Sequence, residues 1–460
     1  MKNLVEILSE ISEYRVIGER NKEFDSIVLD SRFIVEDSAF CAVKGIQSDG
    51  FDYIESAITK GAKVIFCEKE PLLVVDGITY IVVDELKSNL TLISNVFYDY
   101  PSSKLKLVGV TGTNGKTTIA TLLYRLATDL GFKSGLLSTV ENKIGENTIA
   151  STHTTPDVFS LNGLLKNMVD EGCEYVFMEV SSHALDQDRV KGLDFDGALF
   201  TNITHDHLDY HKTFKNYIET KKKFFDNLKI DSFALTNIDD KNGKVMVQNT
   251  KADVKSYSLN SISDFKGKIL DISILGLDML VNGTEVHFKL TGKFNAYNLL
   301  AIYGAAILLG WNKEEVLRFM SDLNPAQGRF HLMRNSKSGV NVIVDYAHTP
   351  DALKNILETI RDFKKASQNI ITIFGAGGDR DKTKRPEMGA IASNYSDIVI
   401  VTSDNPRTEN PETIIQEILE GISKSSESKI LSISDRKEAI KTGLMLAQND
   451  DIVNYSWQRS

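Results

Sequence analysis

A glycine-rich segment carries residues that could bind the phosphates of a nucleotide. It follows the apolar run LKLVGV and reads Gly109-Val110-Thr111-Gly112-Thr113-Asn114-Gly115-Lys116-Thr117. Glycines let backbone N–H groups approach phosphates, a helix start adds positive potential, and a lysine and a threonine can reach the terminal phosphates and Mg²⁺. Val110 stands where the common G-x-x-x-x-G-K-[ST] spacing has its first glycine. The alternative is a plain glycine-rich turn, but the order of strand, Gly-Lys-Thr and helix favours nucleotide binding.

Three further segments contain possible metal ligands. Glu179 ends the apolar run EYVFMEV, where a parallel strand would deliver a carboxylate to the sheet edge, and Mg²⁺ prefers such oxygen ligands. On its own, a glutamate at a strand end is more often a surface residue. The histidine- and aspartate-rich segment Thr204–His211 fits a metal site and a solvated polar turn equally well. The lysine run that begins at Lys221 is typical of a solvated helix face.

The elements that would position these residues alternate between strands and helices, which predicts an α/β fold. Strand-like runs occur at Ser26–Leu29, Lys63–Cys67 and Tyr80–Val83, and a helical segment follows Gly50. After the glycine-rich loop, a helix is predicted by apolar residues that share one face: Ile119, Leu122, Leu123, Leu126 and Leu130. The runs EYVFMEV and DGALFTNI look like buried parallel strands. The runs VNVIVDY, NIITIFG and DIVIVTS each end in a polar loop, so we expect a second α/β sheet with its loops at the carboxyl ends of the strands.

Composition limits the class of protein. At 460 residues the chain is long enough for about three domains. Its formal net charge of -10 argues against general nucleic-acid binding. The three cysteines form no CxxC pair, so neither a disulfide framework nor a zinc site is expected. We see no signal peptide and no apolar stretch long enough to span a membrane, and we expect a cytoplasmic protein.

The loop variant TGTNGKTT resembles the ATP loop of the Mur ligases and of their relative folylpolyglutamate synthase. The resemblance extends from about Val28 to about Val453 through several motifs in the same order. It implies three domains: a small N-terminal UDP-binding α/β domain (1–100), a central ATP-binding domain with a P-loop ATPase-type sheet (101–327), and a C-terminal Rossmann-like amino-acid-binding domain (328–460). It also implies an ATP-dependent ligase that forms an amide through an acyl phosphate, and a monomer.

The resemblance assigns residues to ATP and Mg²⁺. Those implied to bind ATP are Gly112, Thr113, Asn114, Gly115, Lys116, Thr117, Thr118, Asn298 and Arg329. Those implied to act in catalysis are Lys116, Glu179, His207 and Lys221, and those implied to hold the metal are Thr117, Glu179, His207 and Lys221. Lys221 is implied to be carbamylated, because a carbamate would supply a carboxylate where an ammonium would repel Mg²⁺. Further matches in the ATP cleft are Asn295, Asp345, Tyr346, His348 and the loop Gly375–Asp381.

Other motifs imply the acceptor substrate, UDP-N-acetylmuramoyl-L-alanyl-D-glutamate. The residues implied to bind it are Leu29, Ser31, Gln47, His153, Thr154, Thr155, Ser181, Gln187 and Arg189. Short Ser/Thr loops are mostly turns or helix caps when taken singly. Together and in order, they favour a UDP-muramoyl-dipeptide ligase over folylpolyglutamate synthase.

The last third of the chain implies the amine that is added. The residues implied to bind meso-2,6-diaminopimelate are Arg385, Asp404, Asn405, Pro406 and Arg407. Diaminopimelate differs from lysine by a second carboxylate, which a planar guanidinium can bind bidentately. Arg407 therefore disfavours the alternative of a lysine-adding ligase of the same step.

One stretch departs from the family pattern. The family continues past a strand like DDIV into a Gly-Lys-Gly-His-Glu segment that contacts the amino acid, whereas this chain reads Asn454-Tyr455-Ser456-Trp457-Gln458-Arg459-Ser460. Loss of a carboxylate that holds the ammonium of the amino acid would weaken amine binding. A catalytically impaired nucleotide-binding protein is therefore a further alternative.

Overall fold

The computed structural model describes residues 1–45, 48–151, 154–334, 336, 338–423 and 425–456. The chain forms two compact units. The first comprises Met1–Leu107 and Lys133–Asp196, and the second comprises Val108–Phe132 and Gly197–Ser460. Both units are built from parallel-rich sheets flanked by helices, which confirms the predicted α/β class. Among the residues described, no helix has the length and apolar character needed to cross a membrane.

The N-terminal part of the first unit is a five-stranded sheet with helices on its faces. The strands of this region are β1 (Lys2–Asn3), β2 (Arg15–Ile17), β3 (Glu23–Phe24), β4 (Ser26–Val28), β5 (Ser38–Ala42), β6 (Ala62–Cys67) and β7 (Thr79–Val82). Of these, β1 and β3 form a separate two-stranded pair, and the other five form the sheet. Its helices are α1 (Leu4–Leu8), α2 (Ile54–Thr59) and α3 (Leu86–Phe97). The strand order is β2-β7-β6-β5-β4, in which β2 runs antiparallel and the others are parallel. The predicted strands near Ser26, Lys63 and Tyr80 are therefore confirmed as β4, β6 and β7.

The run Val64–Cys67 is apolar throughout because β6 is covered on both faces. Val64 and Phe66 belong to one buried cluster, while Ile65 and Cys67 belong to another. Successive side chains of a strand point to opposite faces, so a strand that is buried on both sides cannot alternate with polar residues.

The middle of the chain supplies eleven strands and eight helices in the described residues. The strands are β8 (Lys106–Thr111), β9 (Ser134–Leu137), β10 (Glu141–Ile144), β11 (Asn147–Ala150), β12 (Tyr175–Glu179), β13 (Gly197–Phe200), β14 (Phe233–Asn237), β15 (Asp253–Ser258), β16 (Phe265–Ser273), β17 (Gly276–Val281) and β18 (Thr284–Phe288). The helices are α4 (Lys116–Asp129), α5 (Val158–Asp170), α6 (Ser182–Asp186), α7 (Leu208–His211), α8 (Phe214–Asp226), α9 (Gly243–Val247), α10 (Lys293–Leu308) and α11 (Lys313–Asp322).

These strands pair differently in the two units. In the first unit β12 pairs parallel with β9, which continues antiparallel to β10 and β11. In the second unit β8, β13, β14, β15 and β16 are parallel neighbours, and β17 and β18 extend them as an antiparallel hairpin. The predicted strands EYVFMEV and DGALFTNI are β12 and β13. The predicted periodic helix is α4, in which Ile119, Leu122, Leu123 and Leu126 are fully buried.

The C-terminal part of the second unit is a six-stranded sheet in the order β19-β20-β24-β21-β22-β23. Its strands are β19 (His331–Arg334), β20 (Asn341–Asp345), β21 (Ile370–Phe374), β22 (Ile398–Val401), β23 (Lys429–Ser432) and β24 (Ile452–Ser456). Its helices are α12 (Pro350–Phe363), α13 (Lys384–Tyr395), α14 (Pro411–Leu419) and α15 (Arg436–Leu446). Only β19 is antiparallel to its neighbour, so the strands β20, β24, β21, β22 and β23 end at one edge. That edge carries the loops predicted to be functional.

Local sequence signals explain where α12 begins. Thr349 caps α12 by accepting from the N–H of Ala352, and Pro350 occupies the first turn, where a missing N–H costs nothing. The cap fixes the chain direction immediately after the segment Asp345–His348. The predicted strands VNVIVDY, NIITIFG and DIVIVTS are confirmed as β20, β21 and β22.

Candidate nucleotide and ligase site

The phosphate loop joins β8 to α4 and requires glycine at two positions. Gly112 has a φ of +149° and Gly115 a φ of +91°, a region that side chains rarely adopt. A Cβ on Gly112 would lie 1.8 Å from Thr201 Oγ1, and one on Gly115 would lie 2.6 Å from Asn298 Oδ1. The loop therefore packs too closely against its neighbours for any other residue.

Two residues after β13 hold this loop in place. Thr113 donates its N–H to the carbonyl of Asn202 at 2.8 Å, and Asn114 donates its N–H to Asn202 Oδ1 at 3.0 Å. Thr201 Oγ1 donates to the carbonyl of Asn114 at 2.6 Å. Thr201 and Asn202 were not predicted from the sequence, because their partners lie almost ninety residues earlier in the chain.

Lys116 is the first residue of α4, and its side chain folds back over the loop. Its ammonium donates to the carbonyls of Gly112 at 2.9 Å and Thr113 at 2.8 Å. Thr117 and Thr118, the next two residues, are buried at 5% and 6% exposure. The structure thus assembles one cation, a helix N-terminus and a threonine hydroxyl, which is the arrangement that binds a polyphosphate.

Lys221 lies on α8 and is buried against the same loop. Its ammonium donates to the carbonyl of Gly112 at 3.0 Å, contacts Thr111 Oγ1 at 3.4 Å, and lies 4.9 Å from the ring centroid of Tyr217. Burial, reinforced by the nearby charge of Lys116, holds the pKa of Lys221 well below its usual range. The general expectation that a lysine run forms a solvated face is therefore wrong for Lys221, which is 1% exposed.

The histidine-rich segment contributes a buried carboxylate beside His207. Asp206 is 3% exposed, accepts a hydrogen bond from the ammonium of Lys384, and lies 3.4 Å from His207 Nε2. Burial opposes ionisation of Asp206, but the charges of His207, Lys384 and His348 outweigh it and hold its pKa well below the usual range. His207 itself has a positive φ of 53° at the start of α7. The sequence did not indicate the pairing of Asp206 with Lys384.

Two residues from later in the second unit, Arg329 and Asp351, also contact the phosphate loop and the start of α4. Arg329 donates from Nη2 to Thr117 Oγ1 at 2.9 Å, and its guanidinium lies 4.5 Å from the ring centroid of Tyr346. Asn114 Nδ2 donates to Asp351 Oδ2 at 2.8 Å. The second unit therefore brings Arg329 to the loop, and Asn298 also adjoins it at Gly115.

Further residues predicted for the ATP cleft lie in the same unit: Asn295, Asn298 and Asp345 are buried, and His348 is half-buried. Asn298 donates to Asn295 Oδ1 at 3.0 Å, which fixes the orientation of both amides. Asp345, at the end of β20, accepts from the N–H of Phe330 at 2.6 Å, and burial raises its pKa to about 6. His348 Nδ1 lies 3.0 Å from the carbonyl of Tyr346, and burial lowers the pKa of His348.

The first unit groups several of the residues predicted to bind the acceptor around Glu179. Glu179 is 1% exposed and accepts from the N–H of Thr139 at 2.7 Å. Thr155 Oγ1 donates to the carbonyl of Glu179 at 2.9 Å and lies 3.4 Å from Ser181 Oγ. Thr154 Oγ1 accepts from the hydroxyl of Thr139 at 3.1 Å.

Arg189 links Gln187 to the hydrogen-bonded group around Glu179. Its Nε and Nη2 donate to Gln187 Oε1 at 3.0 and 2.6 Å, and its Nη1 donates to the carbonyl of Thr155 at 2.8 Å. Leu29 directly follows β4, and Ser31 begins the short 3-10 helix after it, so both lie far from this group in the sequence. Gln47 and His153 lie outside the described residues.

The residues predicted to bind diaminopimelate follow β22, with one exception. Asp404 to Arg407 form the loop after this strand, and Arg407 is exposed with Nη1 donating to the carbonyl of Gly378 at 2.7 Å. Arg385 lies on α13 and is only 1% exposed, with its guanidinium bonded to Glu409 and Glu417. The structure brings four of the five residues together in one loop, of which Arg407 is exposed, and places the fifth in the interior.

The side chains predicted to hold Mg²⁺ meet part of its chemical requirement. Thr117 and Glu179 offer oxygen atoms, which Mg²⁺ prefers, and a bound nucleotide would add phosphate oxygens. Lys221 fits only as a carbamate, since an ammonium offers no lone pair. Within the described residues no three His, Cys, Asp or Glu side chains form a metal-holding group.

Comparison with known proteins accounts for nearly the whole chain. Three family models match: the Mur ligase family catalytic domain at residues 23–95, the Mur ligase middle domain at 110–306, and the Mur ligase glutamate ligase domain at 328–455. A UDP-N-acetylmuramoyl-L-alanyl-D-glutamate–2,6-diaminopimelate ligase of Phocaeicola vulgatus is 53% identical over 450 residues, which cover 98% of this chain and 93% of that protein. A protein of the same name from Cytophaga hutchinsonii is 53% identical over 449 residues, covering 97% of this chain and 92% of its own length.

Solved structures agree with this result. A UDP-N-acetylmuramoyl-L-alanyl-D-glutamate–2,6-diaminopimelate ligase superimposes with a TM-score of 0.69 at 31% identity, covering 99% of this chain and 93% of that one. The MurF ligase of Thermotoga maritima, solved with ADP, shares the fold with a TM-score of 0.68 at 21% identity, covering 94% of each chain. The chain belongs to the Mur ligase family.

Proposed function

We propose that this chain is an ATP-dependent ligase that adds meso-2,6-diaminopimelate to UDP-N-acetylmuramoyl-L-alanyl-D-glutamate, a step in peptidoglycan precursor synthesis. The observation that carries the proposal is the exposed Arg407 on the loop Asp404–Arg407, in a unit that also contains an assembled phosphate loop. The names of relatives that are 53% identical support this choice of amine over lysine.

The proposed reaction has two steps. A carboxylate oxygen of the acceptor attacks the γ-phosphorus of ATP, and the bond from that phosphorus to the bridging oxygen breaks. ADP is released, and the acceptor becomes an acyl phosphate. The free amine of diaminopimelate then attacks the acyl carbon, loses a proton, and expels inorganic phosphate to leave an amide.

Residues of the second unit would stabilise the phosphoryl transfer. The Lys116 ammonium and the N–H groups at the start of α4 would bind the phosphate oxygens on which negative charge develops. Arg329, Asn298 and Tyr346 would bind the rest of the nucleotide, since Arg329 already contacts Thr117 and lies over the Tyr346 ring. Mg²⁺, when bound, would neutralise charge on the transferring phosphoryl group, and Thr117, His207 and a carbamylated Lys221 are the ligands that the second unit would supply.

Residues of the first unit would bind the acceptor. Thr154, Thr155, Ser181, Gln187 and Arg189 form a hydrogen-bonded group around Glu179, and the loops that contain Leu29, Ser31 and Gln47 would bind the uridine. We further propose the domain boundaries 1–100, 101–327 and 328–460, a monomer, and a cytoplasmic location. The three matched family models support the three-domain division.

The test measures phosphate release from ATP in the presence of Mg²⁺ and the UDP-muramoyl-dipeptide, with either meso-diaminopimelate or lysine. We expect release that depends on diaminopimelate and is weak with lysine. Arg407→Lys should reduce the preference for diaminopimelate about tenfold or more, because an ammonium cannot bind a carboxylate bidentately. Equal release with the two amines would contradict the proposed specificity. Release with neither amine, in a protein that binds both ATP and the UDP substrate, would favour the catalytically impaired form.

A further inference from the structure

The loop that carries Arg407 is packed directly against a second loop of the same sheet. Gly378, in the loop after β21, donates its N–H to the carbonyl of Asn405 at 2.8 Å and accepts from Arg407 Nη1 at 2.7 Å. A Cβ on Gly378 would lie 1.9 Å from the carbonyl oxygen of Pro406. The two backbones therefore touch, and the position of Arg407 depends on how firmly this contact is held.

One end of the Arg407 loop is held by a buried guanidinium. Arg385 donates from Nη1 and Nη2 to the two carboxylate oxygens of Glu409 at 3.0 and 2.8 Å. It also donates to Glu417 and, at 3.1 Å, to the carbonyl of Gly377 in the neighbouring loop. Because Arg385 is 1% exposed and bonded on several sides, its guanidinium is committed to contacts within the protein.

The other end is held by a second arginine. Arg436, the first residue of α15, forms an ion pair with Asp404, whose side chain is 5% exposed. Its Nε also donates to the carbonyl of Ser403 at 3.0 Å. The segment Asp404–Glu409 thus begins and ends at a carboxylate that is paired with an arginine from a different helix.

Contacts between the two loops support a strained backbone near Arg407. Asp379 and Arg407 have φ values of 53° and 52°, which side chains rarely adopt. Asp379 accepts from the hydroxyl of Thr408 at 2.7 Å and from its N–H at 3.1 Å, and it donates its own N–H to Glu409 at 2.6 Å. Such conformations persist where the surrounding contacts over-determine them.

We propose that Arg385 and Arg436 are positioning residues, which hold the two ends of the segment Asp404–Glu409 so that Arg407 meets the second carboxylate of the amine in a fixed orientation. This inference rests on the proposed function and assigns Arg385 a role through Glu409 in place of direct contact with diaminopimelate. Bidentate recognition depends on geometry, and a displacement of about 1 Å can cost about 10²-fold. Lysine has no second carboxylate, so its use should depend little on this orientation.

The first experiment compares Arg385→Lys, Glu409→Gln, the double variant, and Arg436→Lys. Each single change should raise the KM for diaminopimelate about tenfold or more and lower its preference over lysine, while the KM values for ATP and the UDP substrate stay unchanged. Because Arg385 and Glu409 act as a unit, the double variant should lose little more than either single variant. Arg334→Lys is the matched control: Arg334 pairs with Asp450 at 2.8 Å on the edge strand β19, is exposed, and should leave every value unchanged.

A direct contact of Arg385 with the substrate gives a different result. Glu409→Gln would then leave the KM for diaminopimelate unchanged, and the effects of the two changes would multiply in the double variant. That pattern would overturn the proposal.

A second measurement does not depend on turnover. Backbone hydrogen exchange across 404–409 should be faster in Arg385→Lys and Glu409→Gln than in the unsubstituted chain, and unchanged in Arg334→Lys. Unchanged exchange in all three variants would overturn the positioning role even if the enzyme is active. Conversely, absence of diaminopimelate-dependent phosphate release in the unsubstituted chain would remove the proposed function and leave the exchange result to decide the positioning role.

Discussion

The ammonium of Lys221 donates to the carbonyl oxygen of Gly112 at 3.0 Å, and Lys116 donates to the same oxygen at 2.9 Å. Two cations therefore share one acceptor in the phosphate loop, and one of them is almost completely buried. Burial and the charge of Lys116 lower the pKa of Lys221, which favours the neutral amine. A neutral amine is the form that reacts with carbon dioxide, and the positive charge of Lys116 would stabilise the carbamate anion that results.

Lys221→Ala should therefore reduce diaminopimelate-dependent phosphate release about 10²-fold or more, because the lost group would stabilise charge at the transferring phosphoryl group. Acetate or propionate should restore part of the activity by supplying the missing carboxylate. Lys223→Ala is the control, because Lys223 lies two residues further along α8 and is exposed. An active enzyme whose intact mass shows no added carbon dioxide, and whose Lys221→Ala variant is not rescued, would contradict the carbamate.

The same lysine run shows what the sequence could and could not predict. The lysine run was interpreted as typical of a solvated helix face, and its charges gave no reason to bury any of its members. The resemblance selected Lys221, and the structure buries both Lys221 and Lys222, the latter paired with Asp226 one turn later. The positions of the strands and of the loops that follow β8 and β22 were predicted correctly, because periodicity and turn residues are local signals.

Long-range partners were not predictable in this way. The contacts of Asp206 with Lys384 and of Arg385 with Glu409 join residues 178 and 24 positions apart. Only the folded chain shows which arginine is committed to internal carboxylates and which is exposed. Arg385 and Arg407 therefore looked equivalent in the sequence, and they differ in the structure.

The ion pair between Asp206 and Lys384 gives a prediction for stability. Lys384→Met should lower the free energy of unfolding by about 3–5 kcal/mol, because it leaves the charge of Asp206 buried without its ammonium partner. Asp206→Asn should lower the free energy of unfolding less in the Lys384→Met variant than in the unsubstituted chain, because in that variant it removes the uncompensated charge. Urea unfolding of the single and double variants measures both values.

Lys441→Met provides the comparison for that series. Lys441 pairs with Glu438 at 2.7 Å on α15, and both side chains are more than half exposed. Exposed pairs contribute about 0–1 kcal/mol, so this change should have little effect. Equal losses for Lys384→Met and Lys441→Met would contradict the importance of burial.

Asp345 should make stability depend on pH. Burial raises its pKa to about 6 in the folded chain, above the ordinary value of 3.8. The contribution of protonated Asp345 to the stability of the folded chain is complete below pH 3.8 and is lost as the pH rises through 6. This difference between the two pKa values corresponds to about 3 kcal/mol in the free energy of unfolding.

Asp345→Asn tests this contribution, because an amide keeps an oxygen for the N–H of Phe330 and never ionises. The variant should gain stability relative to the unsubstituted chain between about pH 4 and pH 7, by up to about 3 kcal/mol. Unfolding curves at several pH values give the difference directly. A difference that stays constant with pH would mean that Asp345 does not titrate in this range.

Asn454 lies in the central strand β24 and gives the last prediction. It is 0% exposed, and neither its Oδ1 nor its Nδ2 has a hydrogen-bond partner among the residues that the structure describes. A buried polar group without a partner costs about 1–3 kcal/mol, and a β-branched apolar residue suits a strand that pairs with β20 and β21. Asn454→Val should therefore raise the free energy of unfolding by about 1–3 kcal/mol.

Asn142→Val is the matched control for this change, because Asn142 is 4% exposed and its Oδ1 accepts from the N–H of Ser138. Removing that acceptor leaves the Ser138 N–H unpaired, so the control should lose stability where Asn454→Val gains it. Opposite signs in urea unfolding would show that hydrogen bonding, and not residue type or burial alone, decides whether an asparagine is tolerated in these sheets. Destabilisation by both changes would mean that Asn454 has a partner in solution, such as a bound water molecule.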